Sequence, residues 1–518
     1  MKCADLFCGA GGFSEGFRQA GFHVTKALDV WAPAILTHEK DHPDTEAIRG
    51  DILTYDPARI GKVDVLIGSP PCTEFSFANR GGSGDIEEGL RLVYRFLRFV
   101  YELEPRCWVM ENVPRVLDFL PHEVPLRKLG IDKRGTLEIP ARAVLSSDDF
   151  GTPQRRARAF SGRFPIPAPT ASRLTLRDVV EGLPDPLARP RSDVARDPVY
   201  GFDLPIDQLT DHFSSDLVLT DEEVRENRKA KEDHSWYGRM SFPDDLDRPA
   251  RTVMATNLRI ARETTVIAAG RGRYRRLSVR ECSSVQGFPI TYQWWGATAS
   301  VKYALVGNAV APPVAYAIAR AILDEARVPL PERPYVIERV TERAPAAAAG
   351  SARRRSLPLR RRFREHVPGS KVPGFRVDLD NQGARRNGHL VAWRAVLYRG
   401  GGKTLEKRPV ALRDAVRMLR STVSERQARR FTRALERDLA GVPDASTLQR
   451  IRAERETGDI TPYVLLERIA GVVDRHFDHD AASRRNGQAV PPRIAATLVA
   501  TAYACALANG SSTASLEG

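Results

Sequence analysis

No run of about 18 apolar residues occurs in the 518-residue sequence, so a membrane-spanning helix is not expected. Cysteine is scarce: Cys3, Cys8, Cys72, Cys107, Cys282 and Cys505 are all there is. No two of them stand at the two-residue spacing of a zinc ribbon or redox pair, and a chain this long needs no disulfides. There is no His/Cys cluster either, so no metal is expected. The opening, Met1 to Phe7, enters an apolar strand pattern without the basic region and cleavage site of a signal peptide, which points to a cytoplasmic protein. Acidic residues are outnumbered, 65 against 79 Lys and Arg, and the net charge of +14 favours a polyanionic partner. Charge alone does not identify that partner.

What is present is an α/β pattern. From Met1 to about Phe164, apolar strand-like runs alternate with helical ones. Val63 to Ile67 and Cys107 to Met110 read as buried strands, with helical spacing at Leu90, Val93, Leu97 and Val100 between them. This predicts a parallel sheet with helices on its faces. Residues 1–164 therefore read as the first part of an α/β domain, 165–260 as a less regular insertion rich in Pro, Asp and Arg, and 261–330 as a return to the first domain. Residues 331–365 read as a basic, low-complexity linker, and 366–518 as an α+β accessory domain.

Four segments point to chemistry. Asp5-Leu6-Phe7-Cys8-Gly9-Ala10-Gly11-Gly12 is a strand running into glycines and then a helix, where the backbone can approach a ligand and free amides face it. Alone, such a turn serves structural ends as readily. Asp29 closes the next strand, where a carboxylate can accept from ribose hydroxyls, and Gly50-Asp51-Ile52 closes the third; together they outline a nucleoside pocket. Gly68-Ser69-Pro70-Pro71-Cys72 leaves the buried strand with two prolines holding a thiol at the sheet's carboxyl end. The Gly/Ser-rich stretch that follows, to Gly84, suits a segment that closes over a substrate. Glu111-Asn112-Val113 places a carboxylate after another strand, as proton donor to a ring nitrogen or as a plain helix cap. In Gln154-Arg155-Arg156-Ala157-Arg158, an extended strand would turn Arg156 and Arg158 to one face, into a site or simply into water.

In this order the four segments resemble the motifs of the DNA cytosine-5 methyltransferase family. Arg276 to Cys282 with Gln286-Gly287-Phe288-Pro289, and Gly307-Asn308-Ala309-Val310, match it as well. The resemblance covers about residues 1–326, and Thr73 departs from the Gln usual there. It implies a Rossmann-like S-adenosyl-L-methionine-dependent methyltransferase domain with a smaller target-recognition domain. Cys72 would attack carbon 6 of a flipped cytosine, Glu111 would hold ring nitrogen 3, and Arg158 would contact the base oxygen with Arg156 and Asn112 in support. Phe7, Gly9 and Gly11 would surround the cofactor's methionine part; Asp29 would hold its ribose. Val30 and Ile52 would sandwich the adenine, Asp51 would accept from its amino group, and Asn308 would complete the pocket. Arg251, Asn257, Arg259 and Arg262 are the candidate DNA contacts. The implied partner is duplex DNA, bound by a monomer at the nucleoid, in a restriction-modification pairing with a cognate endonuclease or in a solitary role. Transfer RNA as acceptor, and a non-catalytic nucleic-acid-binding protein of the same fold, are the rival readings.

Overall fold

The strand Val65–Gly68 is buried along its whole length, as an unbroken apolar run in the middle of a parallel sheet should be. The computed structural model describes residues 1–71, 75, 86–170, 173–188, 190, 192–232, 240–347, 364–370, 372, 374–381, 392–400, 406–454, 460–478 and 490–510. Seven strands form its main sheet: β1 (Lys2–Leu6), β2 (His23–Asp29), β3 (Glu46–Arg49), β4 (Val65–Gly68), β5 (Cys107–Asn112), β6 (Ala141–Ser146) and β7 (Ala157–Arg163). Their spatial order is β3-β2-β1-β4-β5-β7-β6, with β1 to β5 parallel and β7 antiparallel to both neighbours. The order reverses between β1 and β4, which opens a crevice at the carboxyl ends of those strands.

Each face of the sheet is covered. On one, Val65 and Ile67 pack with Phe13 and Phe17 of α1 (Gly12–Gln19) and with Val314, Ile318 and Ile322 of α8 (Pro312–Glu325). On the other, Leu66 and Trp108 meet Val93, Phe96, Leu97 and Val100 of α3 (Ile86–Leu103), whose apolar spacing is that of one helical stripe. A third helix, α2 (Ala32–Asp41), joins β2 to β3. This is the Rossmann-like α/β architecture expected. One boundary differs: β5 runs on through Glu111 and Asn112, because both pair with β7.

A second core gathers α4 (Leu176–Gly182), α6 (Val279–Val285) and α7 (Ala299–Asn308) around Leu183, Leu204, Val253, Ile267, Phe288 and Trp294. Residues 261–306 pack with the insertion and also with the first segment, through Ala10 and Ala34 in this core and Gln293 N–H on Asp41 Oδ1 at 2.9 Å, while α8 covers the sheet. A further helix, α5 (Asp221–Glu232), carries Glu223 and Lys231 inward. The segment after α8 is not a free linker up to residue 347. Tyr335 N–H donates to Gln19 O at 2.9 Å, Thr291 Oγ1 to Ile337 O at 2.6 Å, Ala344 N–H to Gln293 Oε1 at 3.0 Å and Lys302 Nζ to Pro345 O at 2.7 Å. Low complexity marks the sequence there, yet backbone groups bind regardless of side chain.

The chain divides after Gly350. The second unit has a four-stranded antiparallel sheet, β8 (Arg364–His366), β9 (Phe375–Asp380), β10 (Arg394–Arg399) and β11 (Glu406–Val410). Among the described residues five helices accompany it: α9 (Leu412–Arg420), α10 (Glu425–Asp438), α11 (Ala445–Glu454), α12 (Pro462–Asp474) and α13 (Pro492–Ala508). Buried Leu498, Val499 and Ala502 on α13 pack with Val377 and Leu397 of the sheet in one core.

Candidate active site

The turn after β1 takes a left-handed backbone three times, at Phe7 (φ 55°), Gly9 (φ 53°) and Gly11 (φ 91°). Such a φ is uncommon for a residue like Phe7 and marks a turn held by its surroundings. The hold comes from Asp29, whose Oδ2 accepts from Gly9 N–H at 2.9 Å while its Oδ1 accepts from Trp31 N–H at 2.8 Å. Gly50 N–H donates to Asp29 O at 2.9 Å, which brings Asp51 alongside. Three successive strand ends therefore converge. No atom stands within 4 Å of where a Cβ on Gly9 would lie, so the turn presents open space to a ligand. Val30 is 65% exposed at this edge, an apolar surface free to stack, whereas Ile52 is buried. Asp51 is exposed with Leu53 N–H on Oδ1, and Asn308 is exposed at the end of α7. A carboxylate oxygen can accept more than one hydrogen bond, so Asp29 keeps capacity for hydroxyls. A nucleoside cofactor fits these residues.

Beneath the turn lies a buried polar chain that the sequence reading missed. Asp5 is fully buried, its Oδ2 accepting from Ser14 Oγ at 2.7 Å, and Ser14 Oγ is 3.0 Å from His38 Nε2. Burial pushes the Asp5 carboxyl up to about 7, against the pull of the Ser14 hydrogen bond. The unfolded chain releases this proton near pH ~3.9, the folded chain only near 7, so folding loses stability as pH rises between the two. Asp5→Asn should remove that slope. Between pH 5 and pH 8, the unfolding free energy of wild type in urea should fall by about 2.6 kcal/mol relative to that of the variant. Asp197, raised to about 6 by burial, acts with the same sign but is common to both proteins.

Glu111 is 7% exposed at the end of β5, and Arg158 Nε on β7 is 3.1 Å from its Oε1. Burial pushes this carboxyl above its usual range, and Arg158 and Arg156 offset that only in part. Asn112, next along, donates from Nδ2 to Pro70 O at 3.0 Å, and its Oδ1 accepts from Val113 N–H at 2.9 Å. It thereby ties the Pro70-Pro71 segment leaving β4 to the strand that carries Glu111. Cys72 and the stretch up to Gly84, apart from buried Phe75, lie outside the described residues. The other five cysteines are buried, and burial raises the thiol pKa of each.

Arg156 and Arg158 both lower the pKa of Glu111, but their hydrogen bonds differ. Arg156 precedes β7, and its guanidinium donates to the carbonyls of Val253 (3.0 Å), Gly307 (3.0 Å) and Ala309 (3.2 Å). Gln154 bonds Gln286, whose Nε2 donates to Ala309 O at 2.6 Å, and Gln154 Oε1 accepts from Val253 N–H at 2.7 Å. A Cβ on Gly307 would come within 2.4 Å of Ala255 N, so glycine permits this close approach. These motif residues brace the two cores against each other.

The four candidate DNA contacts fare differently. Arg251 is engaged by Asp244 and Ser241, and Arg259 by Glu223 at 2.8 Å and by Asp216. Arg262 is buried, and Asn257 Nδ2 lies 3.7 Å from Cys282 Sγ. Their acidic partners sit 7 to 43 residues away, a pairing that charge counting along the chain does not reveal.

An open sheet of this order, with a glycine turn and acids at consecutive strand ends, defines a Rossmann-like methyltransferase fold. A family model of the C-5 cytosine-specific DNA methylases matches residues 1–324, and the chain belongs to that family. It is 30% identical over 337 residues to the Type II methyltransferase M.MthTI of Methanothermobacter thermautotrophicus, covering 62% of this chain and 97% of that one. Against the Type II methyltransferase M.FnuDI of Fusobacterium nucleatum it is 28% identical over 349 residues, 62% and 94% of the two chains. Among solved structures, the methyltransferase EhMeth of Entamoeba histolytica aligns at 12% identity and a TM-score of 0.42, over 63% of this chain and 98% of that one.

Proposed function

We propose that the chain methylates carbon 5 of a flipped cytosine within a specific duplex DNA sequence, through a transient bond from Cys72 to the base. The observation that carries this reading is the Glu111–Arg158 pair, set one strand from the exit of β4 and fastened to it through Asn112 and Pro70. S-adenosyl-L-methionine, when bound, supplies an electrophilic sulfonium methyl. Phe7, Gly9, Gly11, Asp29, Val30 and Asp51 would hold it, with Ile52 beneath and Asn308 at the rim.

Carbon 5 of cytosine is a poor nucleophile. Addition of the Cys72 thiolate to carbon 6 makes an enamine of the ring, while Glu111, whose protonated form burial favours, would donate to nitrogen 3 and temper the charge that develops. Arg158 would orient the base through its oxygen. Once carbon 5 carries the methyl, a base such as water takes the carbon 5 proton, the double bond re-forms and the Cys72 sulfur leaves. Arg156 and Asn112 act as positioning residues, through Val253, Gly307, Ala309 and Pro70. Arg251 and Arg259 are committed inside the fold, and we assign them to shaping the recognition segment; Asn257 and Arg262 remain candidates for contact. A restriction-modification pairing with a cognate endonuclease is the role that the Type II relatives support.

Bisulfite sequencing of DNA from cells expressing the protein tests the reading. Protected cytosines in one recurring sequence context are expected. Protection no greater than in cells carrying the Cys72→Ser chain would refute it.

A further inference from the structure

Charge is divided unevenly between the two units. Residues 1–350 hold 47 Lys and Arg against 48 Asp and Glu, while residues 351–518 hold 32 against 17. The whole surplus of the chain, +14, therefore resides in the second unit. Within the first, several arginines are neutralised internally: Arg275 by Glu281, Arg276 by Asp216, Arg251 by Asp244 and Arg259 by Glu223.

Helix α10 displays part of that surplus on one face. Ala428, Phe431, Ala434 and Leu435 point into the core, and Arg426, Arg430, Arg433 and Arg437 point outward. At 3.6 residues per turn these four fall within an arc of about 60°. Arg437 is paired with Asp438 at 2.7 Å. Arg426, Arg430 and Arg433 have no ionic or hydrogen-bond partner among the described residues. Like charges three and four residues apart repel, so an unpaired stripe of this kind costs helix stability unless an anion meets it. From Arg426 to Arg433 the helix rises roughly 10 Å, which matches about three phosphates of one DNA strand at 3.4 Å of axial rise each. Guanidinium forks suit phosphate oxygens.

We infer that the outer face of α10 docks the phosphate backbone of duplex DNA, without reading bases, and gives the enzyme its electrostatic grip on the substrate. The inference rests on the DNA-methylation reading only for which polyanion is bound. The test uses the full chain and a 30-base-pair duplex, with affinity followed by fluorescence anisotropy from 50 to 200 mM salt. For Arg426→Gln/Arg430→Gln/Arg433→Gln, the slope of log affinity against log salt should flatten by about 2–3, near 0.9 per lost phosphate contact. The corresponding Arg→Lys triple variant should recover most of the slope. KM for DNA should rise at least tenfold in the Gln variant, with kcat unchanged. A slope and KM equal to wild type would overturn the inference. Wild type that binds DNA but transfers no methyl would instead strike at the catalytic reading and leave the slope comparison valid.

Discussion

Exchanging Glu111 for glutamine should lower kcat for methyl transfer by about 10²–10⁴ while leaving DNA affinity within a few-fold of wild type. The side chain keeps its shape and loses only its acidic proton. Burial raises the carboxyl's pKa and so favours the protonated form, an effect that Arg158 at 3.1 Å offsets only in part. Protonated Glu111 is the active form in this account, so wild-type kcat should fall as pH rises through the raised pKa. The glutamine variant, with nothing to titrate there, should lack that limb. A stopped-quench pH series on both proteins checks this. An amide variant with an undiminished rate would make Glu111 a structural partner of Arg158 and no more.

Cys72→Ser should depress turnover by at least about 10⁴, the scale on which loss of an enzymic nucleophile is felt. A hydroxyl is scarcely ionised where a thiol is a few per cent thiolate. No other cysteine can take over: Cys3, Cys8, Cys107, Cys282 and Cys505 are all buried, with thiol pKa values raised by desolvation. Single-turnover assays with saturating duplex would expose any residual rate. DNA binding by the serine variant, measured beside them, separates lost chemistry from lost structure.

Much of the first unit could be read from residue order. The β4 run Val65-Leu66-Ile67 is apolar throughout, and α3 repeats its apolar residues at helical spacing, because burial on two faces or one leaves those marks. Acids at successive strand ends were equally visible. The roles of Arg156 and Asn112 were not, since they depend on carbonyls 42 to 153 residues away that carry no side-chain signature. Arg259 and Arg251 look like DNA contacts in a basic chain until Glu223 and Asp244 are brought to them by folding. Asp5 hid for a different reason. As one acid in an apolar strand it read as part of a glycine motif, and only its burial beside Ser14 and His38 marks it as a group that titrates near neutrality.

The most direct trial incubates the full chain with S-adenosyl-L-methionine and a duplex carrying 5-fluorocytosine at the methylated position. Fluorine cannot leave as the carbon 5 proton does, so enzyme and base should stay joined through denaturation, and peptide mass mapping should put the link on Cys72. Efficient methylation of the ordinary duplex without any such adduct, or a link at another residue, would contradict the account.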